Sequence, residues 1–149
     1  EMVKYLRPWV KKKKAWALSL MAQKYKNGSG VKQSYEMART LFEQAAQKGD
    51  VGAMYDLGFM YAHGEGVEQS YEKAFEYYEQ AAQLGDADAQ CALGLLYATG
   101  QGVTKDDLKA KEWWTASAAQ GNEKAIENLK LLEKKIKKNK TKNATKNTK

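Results

Sequence analysis

The chain has 149 residues, a formal net charge of +7, a single cysteine and a single proline. One cysteine excludes an internal disulfide, and the longest apolar runs are far shorter than a membrane-spanning helix requires. Because Ala, Leu, Glu, Gln and Lys are frequent and β-branched residues are few, the composition favours an all-helical fold over a sheet.

The charge is divided unevenly along the chain. Residues 1–48 contain 11 basic and 3 acidic residues, residues 49–124 contain 5 and 13, and residues 125–149 contain 9 and 2. The middle of the chain is therefore acidic and both ends are basic. Because steering of a partner depends on the local field, this division is more informative than the net charge.

A period of 36 residues runs through the chain, and Gly49, Gly85 and Gly121 mark it. A Gly-x-Gly-Val segment recurs with the same period at residues 28–31, 64–67 and 100–103. A fixed period of this size is the sequence signature of a solenoid stacked from one repeated unit. Each unit is expected to contain a first helix, the Gly-x-Gly-Val turn and a second helix.

The first 14 residues are interpreted as an atypical N-terminal cap or as the end of a preceding helix. Tyr5 and Leu6 lie one period before Leu41 and Phe42, which suggests a degenerate copy of the second helix of a repeat. Pro8 could instead occupy the first turn of the next helix, where proline is favoured. The residues leave this choice open.

In each unit the first helix carries an apolar stripe, formed in the second unit by Ala53, Leu57 and Tyr61. The second helix alternates bulky aromatic and small residues, as at Tyr78 and Ala81, which indicates core packing between helices. The predicted helix caps are Ser34, Asp50, Ser70, Asp86, Asp106 and Asn122. The repeat array is assigned to residues 15–138, with units at 17–52, 53–88 and 89–124 and a capping helix at 122–138.

The capping helix is expected to close the array, because lysines and asparagines replace the Gly-x-Gly turn that would begin its partner. From residue 139 to 149 the chain contains only Lys, Asn, Thr and Ala, without an apolar anchor. This segment is predicted to be a disordered, lysine-rich tail.

The repeats resemble the Sel-1-like repeats, relatives of the tetratricopeptide repeats, over about residues 15 to 136. The second unit reads Ala53-x3-Leu57-Gly58-x2-Tyr61-x2-Gly64-x-Gly66-Val67, then Lys73-Ala74-x2-Tyr77-Tyr78-x2-Ala81-Ala82-x2-Gly85. The first unit departs from this pattern, with Met21-Ala22 in place of Leu-Gly and Met37 in place of lysine. The resemblance implies a right-handed α-α superhelix, or α-solenoid, of about three repeats that acts as an adaptor or scaffold.

No catalytic, cofactor or metal site is predicted. His63 is the only histidine and has no cysteine at ligand spacing, which favours a surface-loop role. Cys91 is expected to be a partly exposed packing residue. The Gly64-x-Gly66 segment lacks the strand and the Lys-Ser/Thr pair of a phosphate-binding loop.

A partner-binding groove is the leading functional hypothesis. Positions 55 and 59 point away from the apolar stripe, and the resemblance implies that this outward face lines the concave side. The predicted groove residues are Tyr55, Phe59, Cys91, Leu95 and Leu131. With acidic residues nearby, they fit an apolar or mixed basic-apolar segment of another protein. Packing of Tyr55 and Phe59 on neighbouring side chains is the alternative.

The basic ends support a hypothesis of another class. Their lysines are Lys11, Lys12, Lys13, Lys14, Lys134, Lys135, Lys137 and Lys138. They are candidates to contact nucleic-acid phosphates, an anionic membrane or a nuclear import receptor, or to serve only as a solubilising tail.

The sequence therefore predicts a non-enzymatic protein-protein interaction adaptor or scaffold that needs no cofactor. The alternatives are a nucleic-acid or ribonucleoprotein accessory factor that uses the lysine-rich ends, and one module of a longer multidomain protein. The compartment stays open, with the cytoplasm slightly favoured and the nucleus as an alternative.

Overall fold

The computed structural model describes residues 1–148, which form eight α-helices and no strand. They are α1 (Met2–Lys11), α2 (Ala15–Asn27), α3 (Tyr35–Gln47), α4 (Val51–His63), α5 (Tyr71–Gln83), α6 (Ala87–Thr99), α7 (Asp107–Ala119) and α8 (Glu123–Asn147). Each helix packs chiefly on the next one along the chain. The all-helical repeat solenoid expected from the sequence is confirmed. Among these helices, none is both long and apolar enough to span a membrane.

Three units repeat one design, in which α2, α4 and α6 are the first helices and α3, α5 and α7 the second helices. Every first helix ends at a glycine with left-handed backbone geometry. Each predicted cap is confirmed, because its side chain accepts a hydrogen bond from a backbone N–H of the first helical turn. The caps are Ser34, Asp50, Ser70, Asp86, Asp106 and Asn122.

The two helices of a unit approach closely where a glycine faces an aromatic ring. A Cβ added to Gly58 would lie 2.6 Å from the ring of Tyr78, and one added to Gly94 would lie 2.6 Å from Trp114. Both rings are buried, at 3% and 4% exposure. A larger residue at either glycine would push the helices apart, which explains why the sequence keeps Gly there.

The repeat lysine of the second helix has a structural role. Lys73 Nζ lies 5.2 Å from the centroid of the Tyr61 ring, and Lys109 Nζ lies 5.4 Å from that of Tyr97. Each lysine therefore joins the second helix to the first helix of its own unit by a cation–π contact. Met37 takes this position in the first unit and is the departure noted in the sequence.

The structure decides the choice left open at the N terminus. Pro8 lies inside α1, which ends at Lys11, one period before the end of α3 at Gln47. Val3 and Leu6 of α1 are buried in the same core cluster as α2 and α3. Residues 2–11 thus form a second-type helix that covers the first unit.

The structure differs from the sequence prediction at the C terminus. The capping helix does not stop at residue 138 but continues to Asn147, and Lys149 lies outside the described residues. No Gly or Pro interrupts residues 123–147, and the hydroxyl groups of Thr141 and Thr145 donate to the carbonyl oxygens four residues earlier in α8. Because the segment from residue 139 has no large apolar residues, it does not pack on the repeat array, and every described side chain after Ile136 is exposed.

Replacement of Gly94 by alanine is expected to destabilise the protein by about 2 kcal/mol, because the new Cβ overlaps the buried Trp114 ring. Gly85→Ala is the matched control, since its Cβ would meet nothing within 4 Å. At its φ of +94° the control should cost only about 1 kcal/mol of backbone strain. Urea unfolding followed by circular dichroism measures both, and equal losses would contradict the steric argument.

Lys13→Gly is expected to stabilise the protein by about 1 kcal/mol. Lys13 has a φ of +52° and is the only non-glycine residue with positive φ among the described residues. It lies one period before Gly49, whose φ is +87°. Lys12→Gly, at a φ of −79°, is the control and should bring no gain. The same urea unfolding experiment measures both variants. If Lys13→Gly brought no gain in stability over Lys12→Gly, the strain assigned to Lys13 would be refuted.

Candidate functional site

A groove of about 720 Å³ opens across the first helices of the second and third units and the start of α8. Tyr55 and Phe59 of α4 line one side, and Cys91 and Leu95 of α6 line the next. These are four of the five residues that the sequence placed in the groove. Leu131 is 65% exposed on α8 and does not belong to the lining.

The predicted residues differ in their access to solvent. Leu95 is 47% exposed, whereas Cys91 is buried at 8%, more than the partly exposed position expected from the sequence. Tyr55 and Phe59 are half-buried. The groove therefore presents one exposed aliphatic side chain beside two half-buried aromatic rings and a buried thiol.

Aromatic rings form the α4 side of the groove. The ring centroids of Tyr55 and Tyr78 are 5.6 Å apart, and those of Tyr55 and Phe59 are 6.4 Å apart. His63 stacks on Phe59 at 3.9 Å, and its Nδ1 lies 2.9 Å from the Phe59 carbonyl oxygen. Lys26 Nζ lies 5.0 Å from the Phe59 ring centroid. Tyr55 and Phe59 thus pack on neighbours, as the alternative interpretation held, and also line the groove.

His63 is the residue that the sequence interpretation missed most clearly. It was assigned to a surface loop, but it is the last residue of α4 and lines the groove. The signal for this role was its position four residues after Phe59, since residues at that spacing share a helix face.

Carboxylates surround the hydroxyl end of Tyr55. Burial raises the pKa of Tyr55 first, and the charges of Asp88, Asp56 and Asp86 raise it further. Asp88 lines the groove and its Oδ1 accepts a hydrogen bond of 3.0 Å from Asn122 Nδ2. Negative charge is therefore concentrated near Tyr55, and Asp88 is the part of it that lines the groove.

Asp56 differs from Asp88, because opposing effects within the chain act on the pKa of its carboxyl group. Burial raises the pKa of its carboxyl group, whereas the Lys26 ammonium and a hydrogen bond from Gln23 lower it. Asp56 is thus paired with Lys26 and Gln23 within the chain. Of the two carboxylates, only that of Asp88 lines the groove.

A set of polar contacts holds the second helix of the third unit, α7, against the start of its first helix, α6. Ser117 Oγ donates to the Ala87 carbonyl at 2.7 Å, although the serine is fully buried. Gln120 Nε2 donates to the Gly85 carbonyl at 2.9 Å and to Gln90 Oε1 at 3.0 Å. These contacts fix α6 relative to α7 on the side of the repeat junction.

The basic ends lie at opposite ends of the helix order. Lys11 ends α1, and Lys12, Lys13 and Lys14 form the turn before α2. On α8, the exposed lysines are Lys134, Lys135, Lys137 and Lys138. Lys135 Nζ lies 3.4 Å from Asp107 Oδ2, so one of these lysines is already paired.

Within residues 1–148, no group of three or more His, Cys, Asp or Glu side chains is arranged to hold a metal ion. The groove instead combines ring faces, an exposed aliphatic side chain and an accessible carboxylate. Such a surface can bind a ligand by apolar contact, while a few polar groups orient the ligand.

Comparisons with known proteins identify the repeat. The family model of the Sel1 repeat matches residues 17–50, 51–86 and 87–122. The second and third matches begin two residues before the units assigned from the sequence, directly after the capping aspartates. A comparison with curated proteins found no match.

Solved structures share this architecture. A Sel1 repeat protein from Oxalobacter formigenes is 38% identical, with a TM-score of 0.80, and the alignment covers 86% of this chain and 96% of that one. A protective antigen of uropathogenic Escherichia coli strains with an SLR fold is 32% identical, with a TM-score of 0.80. The alignment covers 82% of this chain and 26% of the antigen, so the chain spans about a quarter of that protein.

Helicobacter pylori cysteine rich protein B is 24% identical, with a TM-score of 0.65, over 85% of this chain and 96% of that one. At this identity the likeness shows the fold alone.

Cys91 is expected to react with iodoacetamide several-fold more slowly in the folded protein than in urea, at about pH 8. Burial raises the pKa of its thiol, with Asp88 acting in the same direction and Lys124 against it, so less thiolate is present. Mass spectrometry of the single cysteine gives both rates. Equal rates would mean that the thiol is open to solvent.

Proposed function

The chain belongs to the Sel1 repeat family, and from this we propose that it is a non-enzymatic adaptor whose concave groove binds a segment of a partner protein. Sel1 repeats are generally protein-protein interaction modules and typically non-catalytic scaffolds. The identity of the partner and the use of this particular groove are the parts that go beyond the family.

The groove is favoured by one observation, the exposure of Leu95 beside two ring faces. An aliphatic side chain that is 47% exposed next to Tyr55 and Phe59 leaves apolar surface open to water. Burial of such surface by a partner contributes roughly 25 cal/mol per Å² before the costs of association. Apolar and aromatic residues in a concave site are also where binding energy tends to concentrate.

The alternative based on the lysine-rich ends has no comparable support. The comparisons give no indication of nucleic-acid binding. The two lysine clusters also lie at opposite ends of the helix order, and Lys135 is engaged with Asp107. We therefore keep the groove as the single proposal.

A Phe59→Ala/Leu95→Ala variant is expected to lose at least about tenfold in affinity for partners that the wild-type protein captures. Tyr55 is left intact, because its ring packs on the buried Tyr78 and its removal would disturb the core. Affinity capture followed by titration of each recovered partner measures the effect.

The matched control is Leu84→Ala/Leu108→Ala, which removes two exposed leucines outside the groove lining. Circular dichroism should show both variants folded. Recovery of the same partners at the same affinity by the groove variant would refute the proposal. Loss of those partners on substitution of Lys134, Lys135, Lys137 and Lys138 by Gln, with the groove intact, would place binding at the basic end instead.

A further inference from the structure

The α4–α6 side of the groove carries the features of a site for a single cationic side chain. We propose that the partner segment is anchored by an arginine, with its guanidinium on the Tyr55 ring and paired with Asp88, and by an aliphatic side chain placed on Leu95. This inference rests on the proposed function and names the chemistry of the partner at the same groove.

Tyr55 is the groove ring that packs on other rings but carries no cation of the chain. Phe59 is already used within the chain, because His63 stacks on it at 3.9 Å and Lys26 Nζ lies 5.0 Å from its centroid. Over the described part of the chain, no lysine or arginine lies over the Tyr55 ring. The Lys26 contact also shows that this aromatic side accommodates a positive charge.

Asp88 supplies the matching negative charge. Its Oδ1 accepts from Asn122 at 3.0 Å, while its Oδ2 has no hydrogen-bond donor among residues 1–148. The carboxylate is exposed and lines the same groove as Tyr55. After burial, its negative charge also raises the pKa of the Tyr55 hydroxyl. A cation on the Tyr55 ring would therefore find an accessible carboxylate in the same groove.

Arginine fits this pair better than lysine does. Its planar guanidinium can lie on a ring face while its N–H groups, which point outward in the same plane, donate to a carboxylate. An ammonium is a strongly hydrated point charge that forms such contacts without stacking. The ring and the carboxylate together thus select a planar cation.

The adjacent side of the groove calls for an apolar neighbour. Leu95 is exposed, and Cys91 and Ala92 line the same wall. Lys124 of α8 lines the groove as well, and the pKa of the Cys91 thiol is lowered by Lys124 and raised by Asp88. The chain thus already supplies one cation near this wall, and an aliphatic side chain of the partner would cover Leu95.

Selection from a random peptide display library on the immobilised full chain tests the anchor. We expect the enriched peptides to share an arginine next to an aliphatic residue. Selection on the Asp88→Asn variant should lose the arginine, because Asn keeps the size and the acceptor for Asn122 but removes the charge. Glu76→Gln, which removes the same charge from an exposed position on α5 outside the lining, should keep it.

A synthetic enriched peptide then gives the quantity. Replacement of its arginine by the neutral isostere citrulline should weaken binding to the wild-type protein about tenfold, as expected for a charge-assisted contact with ring stacking. The same replacement should weaken binding to Asp88→Asn less, because only the contact with the Tyr55 ring is then lost, and the double-mutant cycle isolates the pair with Asp88.

The outcomes separate the two proposals. If the enriched peptides depend on Phe59 and Leu95 but contain no arginine, or bind Asp88→Asn unchanged, the anchor is refuted and the groove stands. If peptides are not enriched, or bind the Phe59→Ala/Leu95→Ala variant as well as the wild type, the groove is refuted and the anchor with it.

Discussion

The contact between a helical glycine and an aromatic ring determines both the fold and the groove. Gly58 allows Tyr78 to lie against the backbone of α4, and Gly94 does the same for Trp114 on α6. The same two rings also contact residues that line the groove. Tyr78 packs on Tyr55 at 5.6 Å, and Trp114 Nε1 donates to the Cys91 carbonyl at 3.0 Å. The close approach that assembles the second and third units therefore also positions the side chains of the groove wall.

The repeat period made most of the fold predictable, and the ends were the exception. The helices of the three units and their caps follow from residues that recur every 36 positions. Outside the repeats, the helix boundaries depend on single residues. Pro8 is compatible with two helix assignments, and only the burial of Leu6 distinguishes them. At residue 139, the lack of apolar residues predicts the end of the ordered chain, but no Gly or Pro breaks the helix, and α8 continues to Asn147.

The site was predictable where the helix face alone defines it. Tyr55, Phe59, Cys91 and Leu95 follow from the angular position of the apolar stripe. Leu131 has the same angular position but lies on α8, and within residues 1–148 no further first helix packs against α8 to form an opposing wall. Asp88 was missed for another reason. It lies near the start of its helix, at a position occupied by Gly52 in the preceding unit, so the repeat pattern gives no reason to single it out.

The hydrogen bonds of Ser117 and Gln120 have a further consequence for recognition. They join α7 and the turn after it to the start of α6, the helix that carries Cys91 and Leu95 in the groove wall. Such a wall is preorganised, so little conformational entropy of the receptor is lost when a ligand arrives. The ordering cost then falls mainly on the incoming segment. Ligands with the same contacts would accordingly be ranked by their own stiffness, and a segment constrained in its bound shape would bind more tightly than a flexible one.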